Sequence, residues 1–213
     1  YMVIPRGVIH RWRFDEGRTK LLITEPSGPV ETPKHFRNQS GQLLEHAPYC
    51  ERDLRTPVLG DPVDECGEFT VKVKVGEKIQ TTVLGHHPFD LVGWDGFYYP
   101  WAFNIEDFMP AVGKVHLPPP VHVTFTGPGF VICSFVPRLF DFHDDAIPIP
   151  YAHSNVDSDE ILYYVAGDFM SRKGIESESL TLHPMGYPHG PQPGLLEPSL
   201  GAKETVELAV MID

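Results

Sequence analysis

The sequence predicts a mainly β protein of short strands joined by tight turns, and three observations carry that prediction. Its 213 residues include 22 prolines and 19 glycines, the residues that punctuate a chain into turns. Apolar residues at helical spacing are scarce, whereas Phe69–Val75 alternates apolar and polar side chains as a half-exposed strand does. Hydrophobic residues make up 41% of the chain and aromatics 11%, enough to fill one large or two intimate β domains. The 29 acidic and 17 basic residues give a net charge of −12, which disfavours nucleic-acid backbones and anionic membrane surfaces as partners. No apolar run approaches the length of a membrane span. Cys50, Cys66 and Cys133 lie in unrelated contexts, so a disulfide framework is not expected and a reducing cytoplasm is the default compartment.

Taken in order, Tyr1-Met2-Val3-Ile4 opens as a strand, and Lys20–Thr24 reads as another. From Pro26 the character changes. Residues 26–53 are rich in Pro, Gly, His and Asn with little periodicity, which predicts a long loop that serves a site or an interface. Phe69–Val75 is then a strand, Gly76-Glu77 a turn, and Ile79–Leu84 the returning strand of a hairpin. Residues 85–96 are dense in aromatics, histidine and aspartate. His86 and His87 are adjacent and face opposite ways on a strand, and His116 and His122 flank the stiff Pro118-Pro119-Pro120 run, so packing roles are expected for all four. Glu160–Ala166 reads as a strand ending at a turn on Gly167.

The chemistry gathers around that last strand. His153, Glu160 and His189 supply two imidazoles and one carboxylate, a set that holds a divalent iron while leaving positions open for substrate and dioxygen. Alternation places Glu160 on one face with Leu162 and Tyr164, and Asp159 on the other with Ile161 and Tyr163. Asp157 and Asp159 suit a turn better than a ligand position, with Asp159 kept as the minor candidate. The pattern H-x-N-x4-E-x6-G, from His153 through Asn155 and Glu160 to Gly167, followed by P-x-G-x2-H from Pro184 to His189, matches the two motifs of the cupin barrels, with Asn155 in place of the first motif's second histidine. The second half recurs as Pro5-Arg6-Gly7-Val8-Ile9-His10, which predicts two barrels, the first incomplete, and a chain that is the C-terminal part of a longer protein. The expected division is 1–84, the remainder of the first barrel with a connecting loop, and 85–213, the metal-binding barrel. His10 has no visible partner ligand and is expected to pack a turn.

Asp90–Gly96, Phe135–Arg138, Pro150–Asn155 and Leu182–Pro191 together resemble homogentisate 1,2-dioxygenase, over essentially the whole chain; Gln42–Asp53 and His153–Gly167 are most similar to its bacterial branch. The resemblance implies a bicupin enzyme of aromatic catabolism, in the tyrosine and phenylalanine pathways. Such an enzyme opens homogentisate with both atoms of O2 to give 4-maleylacetoacetate. It implies Fe(II) on His153, Glu160 and His189, and His183 as a residue that supports the ligands or moves a proton. It further implies that Asp95 stands where many members carry a proton-handling histidine, that Phe169 stands where a substrate-binding tyrosine is common, and that Phe169, Tyr164 and His189 contact the substrate. A homo-oligomer, a hexamer built from trimers, is implied as well. The alternatives are a cupin dioxygenase for another hydroquinone acid such as gentisate, a zinc or manganese cupin acting as an isomerase or binding protein, and a storage-type structural barrel. Arg138 and Lys114 are possible anion partners, with ion pairing the expected role for each.

Overall fold

The computed structural model describes residues 1–17, 19–90 and 98–213. The chain is mainly β. Its strands are β1 (Met2–Val3), β2 (Leu54–Arg55), β3 (Cys66–Val75), β4 (Lys78–His86), β5 (Trp101–Phe103), β6 (Val123–Gly127), β7 (Phe130–Phe135), β8 (Arg138–Leu139), β9 (Glu160–Ala166), β10 (Leu180–His183), β11 (Glu204–Thr205) and β12 (Leu208–Ile212). Among the described residues the one α-helix is a single turn, Leu196–Ser199, and no helix is long and apolar enough to cross a membrane.

Contacts divide the chain into two compact units, one of Tyr1, 23–54 and 103–213, the other of 2–22 and 55–102. In the second unit β3 and β4 form the hairpin that alternation predicts. Its turn needs Gly76, whose φ of +56° is costly for a residue with a Cβ. β1 pairs antiparallel with Trp101 and Ala102 of β5. Lys20–Thr24 is not a strand: Leu21, Leu22 and Ile23 are exposed, and an apolar run becomes a strand only where a neighbouring edge takes its backbone groups.

The first unit carries an open antiparallel sheet in the order β10-β9-β12-β7-β6, and the described residues close no barrel, in keeping with an incomplete cupin-like β domain. Its core is aromatic. Phe103 and Phe125 are fully buried, Tyr49 packs 4.9 Å from Phe103, and the Tyr49 hydroxyl donates to the Thr124 carbonyl at 2.6 Å, so the buried polar atom keeps a partner. The long 26–53 segment has little regular structure but is not idle. It delivers Phe36 and Tyr49 to this core and pairs Glu31 with Thr126 by two backbone hydrogen bonds of 2.8 Å. Tyr164, Phe169 and Ala209 form a second buried cluster, with the Tyr164 and Phe169 rings edge to face at 4.7 Å.

Gly167 ends β9 for a steric reason. Its φ is +98°, and an added Cβ would stand 2.1 Å from the Val206 carbonyl oxygen, so the chain can turn there beside the approach to β12 only without a side chain.

Candidate metal centre

Backbone pairing builds the site. His153 and His189 form an isolated antiparallel bridge in which each N–H donates to the other's carbonyl, at 2.8 and 2.7 Å, so both side chains leave the same face. Their ring centroids are 4.4 Å apart. This approach is possible because Gly190 has no side chain: a Cβ there would lie 2.7 Å from Ala152 Cα. The register of β9 against β10 sets His183 opposite Glu160, and Glu160 shares its strand face with Leu162 and Tyr164, as alternation predicts. The turn carrying Pro184-Met185-Gly186-Tyr187 is tied down twice. Gly186, at φ +75°, donates its N–H to the Asn155 carbonyl at 2.6 Å, and the Met185 N–H donates to Asp159 Oδ1 at 2.8 Å.

Asp159 thus braces a turn, and Asp157 sits in one, its N–H donating to Asn155 Oδ1 at 3.2 Å. Asn155 gives its amide N–H to Ser158 and to Asp213 Oδ1, at 2.9 and 2.7 Å. It shapes the turn between the two ligand-bearing segments.

One ligand atom from each of His153, Glu160 and His189 converges, all within 4.8 Å of one another. Glu160 is buried, His189 half-buried and His153 exposed, so the centre has an open side. Both imidazoles are set in the same tautomer: Nδ1 of His153 is 2.8 Å from the Tyr151 carbonyl and Nδ1 of His189 is 3.1 Å from the Tyr187 carbonyl. A carbonyl can only accept, so each Nδ1 carries the proton and each Nε2 presents a lone pair. His189 Nε2 is buried with no hydrogen-bond partner although it lies 3.0 Å from Glu160 Oε2. The distance is short but the angle is not that of a hydrogen bond. A divalent metal therefore fits this donor set, on the chemistry of the ligands and on the orphaned nitrogen.

His183 lies behind Glu160. Its Nδ1 is 3.3 Å from Glu160 Oε2, its Nε2 is 3.1 Å from Arg172 Nη2, and its ring stacks on His189 at 4.2 Å. Burial holds its pKa below the ordinary value; the hydrogen bond to Glu160 opposes that shift, while His189 and Arg172 add to it. The neutral ring is favoured. Cys133 is not a rival ligand, because burial first, and the charges of Asp213 and Glu160 after it, push its thiol up to about 12.

Among the sequence-predicted residues, the structure brings together His153, Glu160, His183 and His189. Tyr164 and Phe169 lie in the buried cluster beside β12, with the Tyr164 hydroxyl 3.2 Å from Thr181 Oγ1. Asp95 lies outside the described residues. His87 packs between Phe69 and Phe89, His122 against Phe135, and Arg138 pairs with Glu207 at 2.8 Å. His10 is exposed, with Nδ1 at 2.9 Å from the Val8 carbonyl. Sequence reasoning missed Arg172, which sits in no motif, and the two tautomer-setting carbonyls, which any residue type supplies. A cavity of about 330 Å³ lined by Tyr49, Arg52, Asp53 and Met109, among others, shares no residue with the triad.

The open antiparallel sheet presenting two histidines and a glutamate of this geometry is that of a cupin-like β domain with a candidate metal site. A family model described as "Homogentisate 1,2-dioxygenase N-terminal" matches residues 1–105. A protein of Saccharolobus solfataricus named "Putative dioxygenase" is 45% identical over all of this chain and 55% of its own length. Proteins named homogentisate 1,2-dioxygenase from Bradyrhizobium diazoefficiens and Rhodopseudomonas palustris are each 29% identical over 89% of this chain and 43% of their own length. The chain is similar to homogentisate 1,2-dioxygenases over most of its length, and it spans about half the length of the curated relatives it matches.

Proposed function

We propose that the protein is a non-haem Fe(II) dioxygenase that opens the ring of homogentisate or a close para-diphenol, with His153, Glu160 and His189 as the metal ligands. The observation that carries the reading is the convergence of two Nε2 lone pairs and one carboxylate at an open-sided centre, both imidazoles fixed by backbone carbonyls. The names of the relatives support the reaction class and the substrate. A ferrous ion in such a set would supply the redox chemistry that lets dioxygen react with an electron-rich ring.

The protein's own residues do the rest. Glu160, with a side chain only 8% exposed, offsets the ion's charge where water cannot. The Tyr151 and Tyr187 carbonyls keep the ring protons on Nδ1, so neither ligand has to change tautomer to bind. The exposed side at His153 admits the substrate, and His183 is placed to move a proton at, or to steady, the Glu160 carboxylate.

The test is oxygen uptake by the full-length protein, loaded anaerobically with Fe(II), with homogentisate and gentisate as substrates and mass analysis of the product. Uptake with homogentisate, giving a product of substrate plus both oxygen atoms, and its loss in Glu160→Gln are the expected results. Faster turnover of gentisate would replace the substrate, and no uptake with either would overturn the enzyme reading.

A further inference from the structure

The guanidinium of Arg172 reaches both halves of the metal centre. One arm donates to the carbonyl of Gly190, the residue after His189, and Nη2 of the other stands 3.1 Å from His183 Nε2. A guanidinium has only donors and stays charged, so the His183 nitrogen facing it must be an unprotonated acceptor. The ring proton is therefore on Nδ1, which faces Glu160 Oε2 at 3.3 Å and can donate to it. With the opposite tautomer, His183 would turn one lone pair on the Glu160 carboxylate and one N–H on the arginine. The stacking of His183 on His189, with ring planes 26° apart, leaves the imidazole little freedom to rotate away from that conflict.

We propose that Arg172 is a positioning residue of the metal centre: it fixes the tautomer of His183 so that His183 holds the Glu160 carboxylate in place beside His153 and His189. The consequence for metal binding rests on the proposed metal-centre reading. The tautomer does not. Arg172 acts here as a point of reference for ring orientation, the task that carboxylates and carbonyls perform for ligating histidines elsewhere.

The experiment is nitrogen NMR of the full-length, metal-free protein labelled on its histidines, alongside anaerobic titration with Fe(II). The wild type should show His183 protonated on Nδ1. Arg172→Met should move the proton wholly or partly to Nε2 and weaken Fe(II) binding about 10–100-fold. Arg172→Lys, whose ammonium can donate to the same nitrogen, should recover the Nδ1–H form. A wild-type His183 protonated on Nε2, or an unchanged tautomer in a folded Arg172→Met protein, overturns the proposal. If Arg172→Met fails to fold, a wild-type Nε2–H form still overturns the proposal, and Arg172→Gln, which keeps a polar side chain, takes its place in the comparison. A wild type that binds no divalent metal overturns the metal-centre reading instead, and leaves the tautomer result to judge Arg172.

Discussion

Substituting Gly190 by alanine tests whether the closeness of two chain segments makes the metal centre. The new Cβ would start 2.7 Å from Ala152 Cα and 3.1 Å from Ala152 Cβ. Ordinary contact begins at 3.4 Å, so the segments must part by about 0.7 Å. The hydrogen bonds joining His153 and His189, now 2.8 and 2.7 Å, would stretch to about 3.4–3.5 Å, beyond the ordinary range. Losing two backbone bonds costs about 1–3 kcal/mol. A metal that needs both imidazoles must restore the pair, so its affinity should fall by about 10–100-fold, and a misplacement of this size should lower turnover by about two orders of magnitude. The assays are anaerobic Fe(II) titration and thermal unfolding of the metal-free protein, with Gly60→Ala as the control because a Cβ there meets nothing within 4 Å. A Gly190→Ala protein that binds Fe(II) as tightly as the wild type, at unchanged melting temperature, would refute the reasoning.

Two further outcomes concern stability. Gly167→Ala should destabilise by several kcal/mol, seen as a large drop in the denaturant midpoint, since it combines a φ of +98° with backbone 2.1 Å from the new Cβ; a shift no larger than that of Gly60→Ala would contradict the geometry. Burial, with the nearby Arg138 charge, holds His122 down to about 3 from its ordinary 6.5. The unfolded chain then binds a proton that the folded one refuses, so this contribution to stability is full above pH 6.5 and is lost as the pH falls towards 3, at up to about 1.4 kcal/mol per pH unit. Denaturation series between pH 4 and 7 should show this slope in the wild type and a shallower one in His122→Gln, and equal slopes would refute it.

Much of the site was legible because its determinants are local. Period-two alternation put Glu160 on the face of Leu162 and Tyr164, and a strand places side chains that way whatever packs on it. Gly167 could be read as a turn because left-handed backbone selects for glycine. The Lys20–Thr24 expectation failed because a strand is a property of two segments, and the sequence of one does not reveal whether the other is present.

By itself, then, the sequence determined the mainly β class, the β3–β4 hairpin and the identities of two histidines and a glutamate in a motif with fixed internal spacing. Only the tertiary structure decided that His153 and His189 face each other across a bridge, that His183 sits behind Glu160, and that Arg172 reaches both. The division has a physical cause. Turn propensity and side-chain alternation are written in neighbouring residues, whereas register between distant segments and the tautomer of an imidazole depend on which backbone carbonyls and cations folding brings within about 3 Å.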